Sequence, residues 1–90
     1  MTETLTIALA QLNPTVGAID ANVEKLRAAR AEAAAAGAEL LVATELVVTG
    51  YPPEDLVLKP AFLDRARAAV EALAAETGDG GPGLLIGCPW

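Results

Sequence analysis

The chain has no histidine and a single cysteine, Cys88, in 90 residues. These two absences remove a disulfide framework, a zinc site with histidine ligands, and any Ser-His or Cys-His catalytic pair. Bases are scarce too. Six Lys and Arg stand against twelve Asp and Glu, giving a net charge of −6 and a pI near 4.3. The bases form no cluster, so neither nucleic acid nor an anionic membrane surface is an expected partner. No apolar run is long enough to span a bilayer. The opening Met1-Thr2-Glu3-Thr4 places no base ahead of an apolar core, so no secretory signal is expected and a cytoplasmic location is the default. No G-x-G-x-x-G follows the first apolar run. Gly80-Gly81-Pro82-Gly83 lacks the Lys-Ser/Thr of a phosphate loop and leads into a strand pattern.

What is present is apolar and ordered. Hydrophobic residues make up 53% of the chain and mean hydropathy is +0.41, which fits one globular unit and excludes a disordered chain. Leu5 to Leu12 reads as a strand that is apolar on both faces, ended by Asn13-Pro14. Asp20 is placed to cap a helix. That helix carries Asn22, Leu26, Ala29, Ala33 and Ala36 on one face with Val23 beside them, and closes at Gly37 in a left-handed conformation. Its small buried side predicts close packing on the sheet. Glu39 to Thr44 reads as the second strand, which completes a parallel, right-handed βαβ unit. Pro52-Pro53 starts a turn of helix with Glu54 and Asp55 in its first turn. Pro60 starts a longer helix with an apolar stripe of Phe62, Ala66, Ala69, Val70 and Leu73, closed at Gly78. Leu84 to Cys88 reads as the third strand. The class is α/β, in the order β-α-β-α-β.

Both helices of such a unit lie on one side of the sheet, so the other face is expected to be bare. Both alternating sets on each strand contain aliphatic residues. Leaving about six of these side chains in water forgoes roughly 9–18 kcal/mol, against a typical net stability of about 5–15 kcal/mol. The second face therefore needs a covering layer, and the 90 residues alone are expected to be marginally stable or self-associating.

The segment Thr44 to Leu56 carries the candidate chemistry. Glu45 leaves the carboxyl end of the second strand, where side chains face the usual α/β site crevice. Partial burial there raises a carboxyl toward the working range of a general base. The competing reading is a solvated acid at a loop entrance. Gly50-Tyr51-Pro52-Pro53 forms a rigid turn, and Tyr51 is a candidate lining residue of the same crevice. Cys88 has no base to activate it and reads as a small core residue. Lys25 and Lys59 read as exposed helix or turn residues. No metal-ligating set is expected.

These residues together form a recognisable pattern. Ala10-Gln11-Leu12-Asn13-Pro14-Thr15-Val16-Gly17, followed by Asn22, resembles the opening of the nitrilase, or carbon–nitrogen hydrolase, superfamily. Glu45-Leu46 with Thr49-Gly50-Tyr51 resembles its catalytic-glutamate segment. The run from Gly50 to Leu56, with Pro60-Ala61-Phe62 after it, resembles more narrowly the glutaminase domain of bacterial glutamine-dependent NAD synthetases. The resemblance implies a four-layer αββα sandwich, of which this chain is the β-α-β-α-β portion, about the first third of the domain. It implies a Glu-Lys-Cys triad, with Glu45 as the general base that takes the proton from the nucleophilic Cys. That Cys attacks the glutamine side-chain amide, ammonia leaves, and the thioester is hydrolysed. In the parent enzyme the ammonia passes to a synthetase domain, which uses ATP and magnesium to amidate deamido-NAD to NAD. The parent is expected to be a homo-oligomer.

The family's Lys and Cys lie further along than residue 90, and Lys59 and Cys88 come too early to match them. Residues 1–90 are therefore expected to be the N-terminal part of the glutaminase domain, with the rest of that domain and the synthetase domain absent. Such a piece is expected to bind no cofactor and to hydrolyse no glutamine by itself. Two other readings stay open at this stage. One is a different nitrilase-type amidase acting on a small amide or carbamoyl substrate. The other is a non-catalytic α/β module or truncated product.

Overall fold

Small side chains set the distance between the first helix and the sheet. The computed structural model describes residues 4–90; residues 1–3, part of the segment read as lacking a secretory signal, lie outside the described residues. Strand β1 is Ile7–Ala10, helix α1 is Ile19–Ala35 and strand β2 is Leu40–Ala43. Ala10 of β1 and Leu41 of β2 share a buried cluster with Ala33 of α1 and with Ala38, and Ala8 and Ala29 pack against it. The close packing expected of an alanine-faced helix is what the backbone adopts.

Helix α2 is Pro60–Glu76 and strand β3 is Gly83–Leu85. The three strands form one parallel sheet in the order β1-β2-β3. Register runs Ile7↔Leu40 to Ala10↔Ala43, and Leu40↔Gly83 to Val42↔Leu85. The α/β class and the β-α-β-α-β order are those read from the sequence. The strands are shorter than their apolar runs. β2 is only four residues long, between the helix-ending turn at Gly37 and the turn that begins at Glu45, and its neighbours can pair only along that length. Ile86 and Cys88 continue past the ladder and pack against the core instead.

The helix ends follow backbone chemistry with two departures from expectation. Asp20 does not cap α1: Ala18 holds that position and Asp20 lies in the first turn, where its charge still favours the helix dipole. At the other end Gly37 has φ +80°, the Ala38 N–H donates to the Ala33 carbonyl (2.9 Å), and the Gly37 N–H donates to that of Ala34 (3.1 Å). This is the paired-bond ending that a left-handed glycine permits. Ala36 is exposed at this terminus rather than buried. Helix α2 has Pro60 in its first turn, as read. It is closed by Gly80, not Gly78, because a 3-10 turn, Thr77–Asp79, extends the coil before Gly80 adopts φ +83°.

The main core gathers Ile19, Val23 and Leu26 of α1, Phe62, Ala66 and Leu73 of α2, and Val47 and Val48 of the intervening loop. Both helices pack through these side chains on one side of the sheet. The opposite side is open: Leu5, Ile7, Leu9 and Leu85 are 60, 47, 75 and 59% exposed. The bare face anticipated from the strand pattern is therefore present. Outside the core, Arg27 bonds both Glu76 carboxylate oxygens (2.7–3.2 Å) and Arg30 bonds both oxygens of Asp79 (2.7 and 3.0 Å). These two forks tie α1 to the last residue of α2 and to the 3-10 turn that follows it.

Candidate functional site

Because β1 and β2 pair up to Ala10↔Ala43, the chain leaves both strands at the same edge of the sheet. The segments that follow, beginning at Gln11 and at Thr44, meet above that edge. From Glu45 to Thr49 the backbone makes a turn, closed by the Gly50 N–H donating to the Leu46 carbonyl (2.8 Å). Leu46 takes φ +55°, a left-handed conformation that side-chain-bearing residues adopt at a cost of roughly 1–2 kcal/mol. The turn thus reverses directly after Glu45. Gly50, at φ +82°, then brings the chain against the first loop, and the Gly17 N–H donates to the Thr49 carbonyl (2.9 Å). The Tyr51–Pro52 peptide is cis, and a 3-10 turn, Glu54–Leu58, follows as the paired prolines predict.

Where the two loops meet, Asn13, Pro14, Thr44, Glu45 and Tyr51 line a recess of about 300 Å³. The structure brings together both residues singled out in the sequence, Glu45 and Tyr51. Its polar groups are a carboxylate, a phenol, a hydroxyl and a carboxamide. Glu45 is exposed, however, and Tyr51 is 68% exposed at the lip. The partial burial expected of Glu45 is not realised, because only these two loops wall the recess and its outer side is open.

The other candidates lie elsewhere. Cys88 is half-buried, packs against the main core and contacts the Pro89 carbonyl through its sulfur (3.3 Å); burial pushes its thiol up from the ordinary range. It borders the core rather than being buried within it, so the reading of a buried core residue is only half met. Lys59 is exposed at the start of α2. Lys25 is not a free surface lysine: its ammonium donates to the Asn13 carbonyl, which steadies the loop at the rim of the recess.

Asn13, Pro14 and Thr44 were not singled out as lining residues, although their positions just after two parallel strand ends are the signal that finds them. Asn22 is the other residue whose part exceeds what spacing showed. Spacing puts it on the buried face of α1, and its bonds tie the two loops together. A larger hollow of about 390 Å³ runs between α1 and α2, lined by Ile19, Val23, Ala69 and charged residues of the two helices. It contains no residue of the Thr44–Leu56 segment and joins no acid to a base in a sheltered setting.

Among the described residues no group of three or more Cys, Asp and Glu side chains is placed to hold a metal ion. The glycine-rich loop at Gly80 runs into β3 rather than into a helix N-terminus. Among the described residues neither feature offers the ligand set of a magnesium site or the loop-to-helix turn of a phosphate site. No helix among the described residues is long and apolar enough to cross a membrane.

Residues 6–89 match the family model described as carbon-nitrogen hydrolase. Over all 90 residues the chain is 57% identical to a glutamine-dependent NAD(+) synthetase of Rhodobacter capsulatus, of which it covers 16%. It is 52% identical over 71 residues to one of Synechocystis, covering 79% of this chain and 13% of that protein. Among solved structures, the glutamine-dependent NAD+ synthetase of Acinetobacter baumannii in complex with ADP aligns at 34% identity with a TM-score of 0.78, over 91% of this chain and 15% of that one. The enzyme of Cytophaga hutchinsonii aligns at 34% identity with a TM-score of 0.76, over 81% and 13%. The chain therefore spans about one sixth of the length of the first of these relatives.

Proposed function

The chain belongs to the carbon–nitrogen hydrolase family, and from that premise we propose that residues 1–90 form the N-terminal part of the glutaminase domain of a glutamine-dependent NAD(+) synthetase. The observation that carries this reading is the 57% identity, along the entire chain, to an enzyme of that name. It favours the synthetase branch over another small-amide hydrolase. The family match also displaces the non-catalytic α/β module.

In this reading Glu45 is the general base. It stands at the carboxyl end of a parallel strand, in a recess that also presents Tyr51, Thr44 and Asn13. In this reading the nucleophilic thiol and the lysine of the triad come from residues outside 1–90; Cys88 and Lys59 are not among the lining residues, and Lys25 is engaged by the Asn13 carbonyl. Glu45 takes the thiol proton as sulfur bonds to the side-chain carbonyl carbon of glutamine. It holds that proton for the departing nitrogen, and the C–N bond breaks to release ammonia. Water then hydrolyses the thioester, with the same carboxylate accepting its proton. Tyr51, at the lip, borders the entrance through which glutamine arrives.

The exposed sheet face bearing Leu5, Ile7, Leu9 and Leu85 is where the second sheet of an αββα sandwich packs. Use of the ammonia to amidate deamido-NAD belongs to a part of the protein that these residues do not form. In this reading ATP supplies the activation there.

The test is ammonia release from glutamine by the whole product of the gene. Glu45→Gln removes the proton acceptor while keeping shape, and is expected to lower kcat by about 10²–10⁴-fold. A variant within a few-fold of the parent overturns the assignment of Glu45 as base.

A further inference from the structure

One buried carboxamide holds both walls of the Glu45 recess. Asn22 is fully buried, and among the described residues only Thr49 shares that condition as a polar side chain. Its Oδ1 accepts from the Thr15 N–H (2.8 Å), while its Nδ2 donates to the Thr15 carbonyl (2.8 Å) and the Val48 carbonyl (2.9 Å). Thr15 adjoins Pro14 of the first wall. Val48 sits in the turn that begins at Glu45. Asn22 itself lies behind the recess and does not line it.

A side chain needed only to fill space beside Ile19, Val23 and Leu26 has no reason to be polar, because a buried amide must find partners for all its groups. This position demands two donors and one acceptor on one planar group. Only a carboxamide supplies that set at this length: a carboxylate has no donor, and a hydroxyl has one. Further contacts close the same seam. The Gly17 N–H donates to the Thr49 carbonyl, and Gly50 lies against Val16. The rigid body behind the seam is α1, in which the Asn22 N–H donates to the Ala18 carbonyl (2.9 Å).

We propose that Asn22 is a positioning residue for Glu45: it fixes the loop at Asn13–Thr15 and the turn from Glu45 to Thr49 in one relative placement, so that the carboxylate meets the thiol and the substrate amide at a set distance. The proposal rests on the reading of Glu45 as general base. A misplacement on the order of 1 Å in such an arrangement costs as much as about 10²-fold in rate. The effect falls on kcat, since Asn22 touches no substrate.

The experiment uses the whole gene product with Asn22→Ala, Asn22→Asp and, as control, Glu45→Gln. Glutamine hydrolysis is measured across pH at a temperature below each variant's melting transition. Asn22→Ala is expected to lower kcat about tenfold or more with KM changed by less than threefold. If that variant does not fold, Asn22→Ser, which keeps one donor, takes its place. Asn22→Asp distinguishes positioning from packing. Its carboxylate faces two carbonyls, and protonation restores one donor, so its kcat relative to the parent is expected to rise as pH falls. The ratio for Asn22→Ala stays flat. An Asn22 variant that melts lower but keeps the parent's kcat and pH profile overturns the positioning role while Glu45→Gln remains inactive. If Glu45→Gln keeps the parent's rate, the base assignment falls, and the positioning role falls with it.

Discussion

Gly50 lies so close to Val16 that a β-carbon on Gly50 would stand 2.6 Å from the Val16 Cα. The two loops that wall the Glu45 recess touch backbone to backbone there. Gly17, on the other side of the same seam, has a similar left-handed φ of +80°, but its added carbon would meet only Leu56 Cδ1 at 3.4 Å. This contrast separates strain from clash. Gly17→Ala forfeits the free left-handed conformation, about 1–2 kcal/mol. Gly50→Ala forfeits the same and must also push the loops apart. Denaturant unfolding of the whole gene product is expected to rank Gly50→Ala as more destabilising, by at least about 1 kcal/mol. Equal midpoints for the two variants refute the close approach.

The order of elements was legible because it is written in periodicity and punctuation. Pro60, Gly37 and the aliphatic run at Leu40 announced α2, the end of α1 and β2. Strand length was not legible, because it is set by a partner: Leu5 to Leu12 is apolar throughout, yet only Ile7–Ala10 finds β2 opposite it. The site shows the same division. Glu45 and Tyr51 could be named from position and turn chemistry. The left-handed Leu46 could not, since nothing local favours that conformation in a leucine and the close approach of Gly87 to it belongs to the tertiary fold. A β-carbon at Gly87 would stand 2.6 Å from the Leu46 nitrogen, a contact across more than forty residues of sequence.

The fork between Arg30 and Asp79 should make stability fall in acid. The Arg30 guanidinium, helped by the Gly81 N–H (2.8 Å), holds the Asp79 carboxyl at about 2, below its ordinary 3.8. A carboxyl depressed on folding stabilises above its unfolded pKa, and that contribution is lost as pH falls through the folded value. The contribution is therefore complete above pH 3.8 and fades toward pH 2. Asp79 is exposed, so the effect is small and weakened by salt. Asp79→Asn is expected to flatten this part of the acid unfolding curve, measured at low ionic strength. An unchanged curve shows that the fork does not contribute.

Cys88 is expected to react slowly while the protein is folded. Burial raises its thiol above the ordinary range, which lowers the thiolate fraction at pH 8, and its sulfur packs against the core that holds Phe62 and Leu73. The thiolate is the reacting species. Alkylation followed by mass spectrometry in native buffer should lag behind the rate in denaturant, because burial both lowers the thiolate fraction and shields the sulfur. Native and denatured rates that agree would mean that Cys88 is neither buried nor shifted, and would reopen it as a reactive group.

The open sheet face governs how the 90 residues behave when produced alone. Leu5, Ile7, Leu9 and Leu85 expose between 47 and 75% of their surface on one side of the sheet, while Ala8, Ala10, Leu41 and Leu84 pack on the side that carries the helices. Complete burial of a Leu or Ile side chain is worth about 1.5–3 kcal/mol, so this face leaves on the order of 5 kcal/mol unrealised, comparable to the whole stability of a small domain. The isolated chain should therefore sediment in a concentration-dependent manner or melt without cooperativity. Leu9→Lys with Leu85→Lys should abolish the association while leaving the helical circular dichroism unchanged. Both side chains point away from α1 and α2, and a lysine stem can lie along the sheet with its charge in water. The same pair placed in the whole gene product should destabilise it, because there the face is packed against a second sheet in the proposed sandwich. A sharp, reversible, monomeric transition of the unmodified 90 residues would show that the exposed face needs no cover and would remove the physical argument for that second sheet.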